Sequence, residues 1–360
     1  MLENYFIEIL LYFIFAVGIS AFINKILLRF SRSLGIRNKN DVVIRWSNES
    51  KPSLGGVSMF FTFLFAILAF AIYNNSAVVF DNVEFIGLLG ASTLAFGIGV
   101  ADDAYNTRPF LKLFGQILCG VILVITDTSV DFFHNSIADG ILTVVWIVTI
   151  MNSLNMLDNM DGITATVSLF VLIACSLSLL ILNDFNIDFW QIILITEIGA
   201  LIGFLIFNVH PAKLFMGDTG SQFIGLFVGF FGIKALWNVP AVYQLPAWSG
   251  MVLALVAFSP AAADTLTVVI NRIKKGRSPM IGGKDHTTHH LVYKGLTDFK
   301  VWLVFLLLSL LSVLVGVVLM VLLKNGIYLG TLIGIPFFLV LFLFLYRNTI
   351  KYSPPDSKGK

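Results

Sequence analysis

The sequence predicts an all-α, polytopic integral membrane protein. Of its 360 residues, 58% are hydrophobic and only 12% are charged, whereas roughly 25% of the residues of an ordinary soluble domain are charged. The runs 301–323 and 325–346 contain no charge, and a bilayer-crossing helix needs about 20 mostly apolar residues. This composition excludes a soluble enzyme, a disordered chain and a nucleic-acid-binding protein with a basic stripe.

Charge gaps and turn residues divide the chain into about eleven predicted membrane-spanning helices. They lie near 5–23, 54–73, 83–100, 111–126, 137–153, 163–182, 190–207, 220–237, 248–270, 301–323 and 328–346. The fourth is the shortest of these segments. An odd number of spans places the two termini on opposite faces of the membrane.

The basic residues predict which face is cytoplasmic. Connections on one face carry 21 of the 23 Lys and Arg residues, and only Lys234 and Lys324 fall towards the other face. The positive-inside rule makes the basic face cytoplasmic. We therefore expect the N-terminus outside, the C-terminus inside, and residues 351–360 to form a cytoplasmic tail.

Five Asp residues cluster in the middle loops of this basic face. They are Asp102, Asp103, Asp158, Asp161 and Asp218. One loop Asp is typical of a helix cap, but five in three short loops beside Lys and Arg suit a Mg²⁺ ion and the phosphates that it holds. The cluster therefore indicates metal-assisted phosphate chemistry.

The third and fourth loops carry the most specific patterns. Asn152, Asn155, Asp158 and Asp161 follow one another at intervals of three, so a continuous helix would present all four on one stripe. Polar residues on such a stripe are costly in a membrane helix unless they are used. In the fourth loop Asp218 stands between Gly217 and Gly220, which let a backbone approach a ligand. Asp218 also precedes a helix, so an N-cap is the alternative.

The fifth loop, 271–300, contains three of the five His residues of the chain. His286, His289 and His290 lie within five positions, with Arg277 and Lys284 upstream. Zinc is one interpretation, but no Cys accompanies these residues and carboxylates dominate the other loops. Imidazoles and cations that face a pyrophosphate are the favoured interpretation.

Taken together, the motifs resemble those of one enzyme family. The set comprises K-P-x-x-G-G from Lys51, D-D at Asp102, N-x-x-N-x-x-D-x-x-D-G from Asn152, P-A-K-x-F-M-G-D-x-G-S from Pro211, and the His-rich fifth loop. Between about residues 45 and 300 the chain resembles the polyprenyl-phosphate N-acetylhexosamine-1-phosphate transferases. The resemblance implies one transmembrane catalytic domain, 1–350, in the bacterial inner membrane, with its active site on cytoplasmic loops 24–53, 101–112, 154–162, 208–221 and 271–300.

The resemblance also implies an activity, its substrates and a cofactor. Members transfer a sugar 1-phosphate from a UDP-sugar to a polyprenyl phosphate in the membrane, with Mg²⁺, or Mn²⁺ in its place. The product starts the synthesis of a cell-envelope polymer such as cell wall or lipopolysaccharide. A homodimer is left open by the resemblance.

Each motif position takes a role from the family. Asp218 would bind the metal, and Asp102 and Asp103 would lie beside the acceptor phosphate, with Asp102 as the candidate base. The other roles divide between catalysis and binding. Asp161, His289 and His290 are expected to be catalytic, and Lys51, Lys112, Asn155, Asp158, Phe215, Arg277 and His286 to bind substrate, with Phe215 stacked on uracil.

The chain departs from the family pattern at two places. Asn159 replaces a common Gly, and the fifth loop reads His286-Thr287-Thr288-His289-His290 rather than three consecutive His, so that the first His is displaced. The absence of three consecutive His, together with eleven rather than ten predicted spans, favours transfer of N-acetylglucosamine 1-phosphate, with phospho-MurNAc-pentapeptide transfer as the alternative.

Two more remote alternatives come from other classes of protein. The segment from Asp158 to Ala165 resembles the start of the CDP-alcohol phosphatidyltransferase motif, but Thr166 stands where that motif has Arg. A transporter would use intramembrane acids as ion sites, and Glu197 and Asp264 are the candidates.

Overall fold

Long apolar helices make up nearly all of the part of the chain that the structure describes. This computed structural model describes residues 2–30, 51–73, 81–182, 188–279 and 282–352. Within these ranges the protein is all-helical, as predicted, and its one β-type pairing is a parallel bridge between Ser53 and Phe215. Most of the basic first loop, 31–50, and residues 353–360 of the predicted tail lie outside the described residues.

Fourteen α-helices follow one another in the described ranges. They are α1 Leu2–Phe30, α2 Gly55–Tyr73, α3 Val83–Tyr105, α4 Pro109–Ile125, α5 Ser136–Leu157, α6 Ile163–Leu182, α7 Phe189–Asn208, α8 Gly217–Gly232, α9 Val239–Val242, α10 Trp248–Ala257, α11 Ser259–Lys274, α12 Thr287–Tyr293, α13 Asp298–Lys324 and α14 Gly334–Lys351. A π-helical turn, Ile233–Trp237, extends α8, and a 3₁₀ turn, Tyr328–Ile333, precedes α14.

Each of the eleven predicted spans coincides with helix. In the described ranges nine spans are long and apolar enough to cross a bilayer by themselves, and the count rises to ten if a bent pair is one span. The remaining predicted span is α4, with 17 residues. The chain is therefore a multi-pass membrane protein, and the orientation of its termini stays a prediction.

The ninth predicted span is not one continuous helix. Helices α10 and α11 meet at an angle of 84°, so the expectation of a simple span over 248–270 is wrong in this detail. Pro260 lies in the first turn of α11. Proline has no N–H to donate and its ring clashes with the preceding turn, which ends one helix and starts another.

Helix α8 forms the centre of the bundle, and its sequence explains why. Every residue from Thr219 to Gly232 is buried. The glycines Gly225 and Gly229 lie on one face, where an added Cβ would meet Met151 and Ile147 of α5. Aromatic side chains of α8 pack against the Phe63 ring of α2. Small residues let helix backbones approach closely inside a membrane, while aromatic rings fill the wider gaps.

The start of α8 is held against two other helices by close backbone contacts. A Cβ on Gly99 of α3 would lie 2.3 Å from Cα of Thr219, and a Cβ on Gly56 of α2 would lie 2.2 Å from N of Gly220. No side chain larger than hydrogen fits at either crossing. These contacts fix the position of Asp218, one residue before Thr219.

Replacing Gly99 should destabilise the bundle far more than replacing its neighbour Gly97. We expect Gly99→Ala to lower the free energy of unfolding by at least about 1–3 kcal/mol, the usual cost of overpacking, because the obstacle is backbone. Gly97→Ala is the matched control, since nothing lies within 4 Å of the position that its Cβ would take. Cys119 and Cys175 are buried, so a thiol-reactive dye reports unfolding on heating in detergent. Equal midpoints for the two variants would contradict the close crossing.

Candidate active site

The ends of four helices bring predicted site residues together around the ammonium group of Lys112. Asp102 lies in the last turn of α3, Lys112 in the first turn of α4, Asn155 in the last turn of α5 and Asp218 in the first turn of α8. Lys112 Nζ donates to Oδ2 of Asp102 at 2.9 Å, to Oδ1 of Asn155 at 3.1 Å and to Oδ1 of Asp218 at 2.7 Å. These four residues, which come from four different helices, form one cluster, the Lys112 cluster.

The Asn155 amide adds a second link between α5 and α8. Its Nδ2 donates to Oδ1 of Asp218 at 2.6 Å and to Oγ of Ser221 at 2.8 Å. One carboxylate oxygen of Asp218 therefore receives both Lys112 and Asn155. The side chain of Asp218 is 28% exposed, so the cluster opens towards one side.

Asp102 is ionised and oriented by its own loop as well as by Lys112. Its Oδ1 accepts from N of Thr107 at 2.9 Å and from Oγ1 of Thr107 at 2.6 Å. A carboxylate that accepts several hydrogen bonds and faces an ammonium keeps its negative charge. Thr107 carried no distinguishing pattern in the sequence, and only the chain reversal after α3 brings it to Asp102.

Asp103 caps helix α8 rather than joining the Lys112 cluster. Its carboxylate accepts from N of Asp218 at 3.1 Å, from N of Thr219 at 2.8 Å and from Oγ1 of Thr219 at 2.7 Å. A carboxylate at a helix N-terminus satisfies orphan N–H groups and interacts favourably with the helix dipole. In the described residues Asp103 thus positions Asp218, and its predicted contact with an acceptor phosphate stays a prediction.

Asp161 of the third loop holds the fourth loop in place. Its Oδ2 accepts from N of Ala212 at 2.9 Å and pairs with Nδ1 of His210 at 3.0 Å. No sequence pattern distinguished His210 as a site residue, although His210 immediately precedes the P-A-K motif. Asp158, which ends α5 as its C-cap, is half-buried in the same loop.

The first and fourth loops form a short paired segment. N of Phe215 donates to O of Pro52 at 2.9 Å, and N of Gly55 donates to O of Phe215 at 3.0 Å. Lys51 Nζ lies 5.7 Å from the centre of the Phe215 ring. The pairing therefore brings predicted binding residues Lys51 and Phe215 together beside Gly217, whose φ of +74° favours glycine.

The fifth loop is fixed by two carboxylates, Asp264 and Asp285. Asp264 of α11, which is fully buried, accepts from N and Oγ1 of Thr287 and contacts Nδ1 of His286 at 2.9 Å. Arg272 donates two hydrogen bonds to the carboxylate of Asp285, at 2.8 and 2.7 Å. Burial alone would raise the pKa of Asp285, but the hydrogen bonds and charge of Arg272 outweigh it and lower that pKa.

The remaining two histidines of this loop are buried. His289 is 2% exposed and His290 is 3% exposed. Burial, and after it the charge of His286, lowers the pKa of His289 to about 3, so His289 is neutral at physiological pH. Burial also lowers the pKa of His290, whose Nδ1 contacts O of Tyr352 beyond α14. A contact of His289 with pyrophosphate would thus be made by a neutral imidazole.

The fifth loop meets the third through the two positions that depart from the family pattern. Oγ1 of Thr288 donates to Oδ1 of Asn159 at 2.6 Å. Arg277, by contrast, is exposed and joins none of these contacts. The buried guanidinium belongs to Arg272, which no sequence pattern distinguished from the other basic residues nearby.

The Lys112 cluster fits a cation that is shared with a phosphate substrate. In the described residues no three His, Cys, Asp or Glu side chains converge to form a metal cage. Mg²⁺ usually takes one or two carboxylates together with substrate phosphates and water. The carboxylates of Asp102 and Asp218 share the single ammonium of Lys112. The Asp218 carboxylate is the more exposed of the two. Asp218 is therefore the side chain suited to hold Mg²⁺.

Comparisons with known proteins show which family the chain is similar to. Residues 85–236, which contain the Lys112 cluster, match the model of glycosyl transferase family 4. A probable undecaprenyl-phosphate N-acetylglucosaminyl 1-phosphate transferase of Bacillus subtilis is 25% identical over 334 residues, which cover 89% of this chain and 87% of the relative. The segment that contains the Lys112 cluster is thus similar to glycosyl transferase family 4.

Relatives in this family carry two kinds of name. A decaprenyl-phosphate N-acetylglucosaminephosphotransferase of Mycolicibacterium smegmatis is 29% identical, covering 68% of this chain and 66% of the relative. A phospho-N-acetylmuramoyl-pentapeptide-transferase of Campylobacter jejuni is 28% identical, covering 51% of this chain and 60% of the relative. The relatives named for N-acetylglucosamine transfer match a larger share of this chain.

The low pKa of His289 predicts acid-dependent loss of stability. In the unfolded chain this imidazole titrates near pH 6.5, so below that pH the unfolded state binds the proton and the folded state does not. The free energy of unfolding should then fall as the pH drops from about 6.5 towards the folded pKa of about 3. The loss at pH 5 is on the order of 2 kcal/mol.

Trp fluorescence during heating at pH 7 and pH 5 measures this loss. His289→Gln should shrink the difference between the two midpoints. His134→Gln is the control, because the His134 side chain is 74% exposed and should leave the difference unchanged. An unaltered pH dependence in His289→Gln would show that His289 is not the titrating group.

Proposed function

We propose that this protein transfers N-acetylglucosamine 1-phosphate from UDP-GlcNAc to a polyprenyl phosphate in the bacterial inner membrane, releasing UMP. The observation that carries the proposal is the Lys112 cluster, in which an ammonium links Asp102 and Asp218 at the ends of apolar helices. The family and the names of the relatives that match most of the chain support the same activity.

The reaction breaks the phosphoanhydride bond of the UDP-sugar and forms a new one to the lipid phosphate. An oxygen of the lipid phosphate attacks the phosphorus that carries the sugar, and the bond from that phosphorus to the UMP oxygen breaks. UMP leaves with the bonding electrons, and a sugar diphosphate lipid forms. All reacting groups are anionic, so catalysis depends on placing positive charge around the phosphates.

The Lys112 cluster can place positive charge beside these phosphates. Lys112 supplies an ammonium beside the partly exposed Asp218, and Asp102 is held ionised by Lys112 and Thr107. The ammonium of Lys112, held in place by Asp102, would favour the doubly charged form of a lipid phosphate beside it, which is the better nucleophile. Bound through Asp218, Mg²⁺ would neutralise the pyrophosphate and stabilise the leaving UMP.

Removing the charge of Asp218 should abolish most of the activity. We expect Asp218→Asn to fold, because Asn still accepts from Lys112, and to lower turnover at least about a hundredfold, the usual cost of losing an electrostatic catalytic group. Asp188→Asn is the matched control, since Asp188 caps the start of α7 without contacting the cluster. Wild-type turnover by Asp218→Asn at limiting Mg²⁺ would exclude the metal-binding role.

A donor panel tests the proposed function as a whole. Purified protein with undecaprenyl phosphate and Mg²⁺ should release UMP faster from UDP-GlcNAc than from UDP-GalNAc or UDP-MurNAc-pentapeptide. Faster release from the pentapeptide donor would instead assign the protein phospho-MurNAc-pentapeptide transfer, the activity for which the second group of relatives is named. No release from any donor would refute the reaction class.

We further propose that the site faces the cytoplasm. The support is the basic face, which carries 21 of the 23 Lys and Arg residues. Sealed inverted membrane vesicles should therefore use added UDP-GlcNAc without permeabilisation. Sealed right-side-out vesicles should need it, and the reverse pattern would place the site outside.

A further inference from the structure

Three amide side chains lie one helical turn from the Lys112 cluster, towards the middle of three of its four helices. Gln116 follows Lys112 by four residues on α4, Asn152 precedes Asn155 by three residues on α5, and Gln222 follows Asp218 by four on α8. Residues three or four apart share one face of a helix. We call Gln116, Asn152 and Gln222 the amide layer.

The amide layer is a connected hydrogen-bond network. Nε2 of Gln116 donates to Oε1 of Gln222 at 2.9 Å and to Oδ1 of Asn152 at 3.2 Å. In return, Nδ2 of Asn152 donates to Oε1 of Gln116 at 2.7 Å, and also to O of Val148 on its own helix. Gln116 thus joins α4 to both α5 and α8.

The layer is buried among apolar helices, where amides are costly. Gln116 and Gln222 are both fully buried, and Nε2 of Gln222 has no hydrogen-bond partner within the described residues. Burying an amide donor without a partner costs free energy. If the layer served stability alone, apolar side chains of the same shape would serve at least as well. Replacing both partners of a buried hydrogen bond changes the free energy of unfolding little, and it would remove the unpartnered amide donor.

We propose that the amide layer sets the rotation and depth of α4, α5 and α8, and so holds Lys112, Asn155 and Asp218 at the distances that phosphate transfer needs. Amide hydrogen bonds are directional, so they fix register where apolar packing tolerates sliding. The three amides of the layer act as positioning residues. This inference rests on the proposed function, because the distances matter only if the cluster performs the chemistry.

The test variant removes the central link between α4 and α8 while keeping the volume of the side chains. In Gln116→Met/Gln222→Met, we expect kcat to fall at least about tenfold, because a displacement of about 1 Å in a catalytic group can cost about a hundredfold. The KM for UDP-GlcNAc should stay within about threefold and the thermal midpoint close to that of the wild type. A merely structural role would lower the midpoint and leave the kcat of the folded protein unchanged.

A matched control comes from another buried polar pair between membrane helices. Nε2 of Gln191 on α7 donates to Oγ of Ser176 on α6 at 2.5 Å, and both side chains are buried. Gln191→Met/Ser176→Ala should keep the wild-type kcat. An equal loss of kcat in this control, or a kcat within about threefold of wild type in the amide-layer variant, would overturn the proposal.

A conservative variant and a spectroscopic measurement complete the test. Gln222→Glu keeps the acceptor for Gln116 and should retain most of the kcat that Gln222→Met loses. These two single variants test the positioning role even if the double variant does not fold. Spin labels at exposed Phe114 of α4 and Thr149 of α5 report helix geometry by dipolar broadening. A broadening unchanged by the double variant would count against the proposal, and an inactive wild type would instead refute the proposed function.

Discussion

One ammonium group, that of Lys112, determines how the functional end of this membrane bundle is assembled. It binds side chains from three other helices at 2.7–3.1 Å. The side chains of Lys112 and Asp102 are only 14% and 12% exposed, and an unpaired charge at that depth would be costly, so each needs the other as a partner. The pairing therefore holds the ends of α3, α5 and α8 at one place. It also leaves excess negative charge, which suits a divalent cation.

Apolar packing within the bundle holds the Lys112 cluster in place. Helix α8 lies at the centre, and the glycine crossings at Gly56 and Gly99 leave no room for its first turn to shift. Asp103 then caps that turn through two backbone N–H groups. Packing, capping and charge pairing thus act on the same few residues around Asp218. Precise placement of a catalytic group depends on such rigid support.

The fifth loop shows a different use of charge. Asp264, at the membrane end of the loop, holds His286 and Thr287, while Arg272 holds Asp285. The transporter hypothesis drew on Asp264 as an intramembrane acid, but here Asp264 anchors the loop. A hydrogen bond from Thr288 then ties the fifth loop to the third. The two positions that depart from the family pattern are therefore in contact, and together they join the two loops.

The sequence by itself determined the all-helical membrane fold and the helix positions, because apolar runs and basic loops obey one-dimensional rules of length and charge. Its motifs, through their resemblance to one enzyme family, selected Asp102, Lys112, Asn155 and Asp218, which the structure brings together. Only the tertiary structure decided that Asp103 caps α8, that Asp161 pairs with His210, and that the ninth span bends by 84°. The two carboxylate pairings depend on contacts between residues far apart in the chain, and the spacing of residues along a sequence does not encode which partner a carboxylate meets.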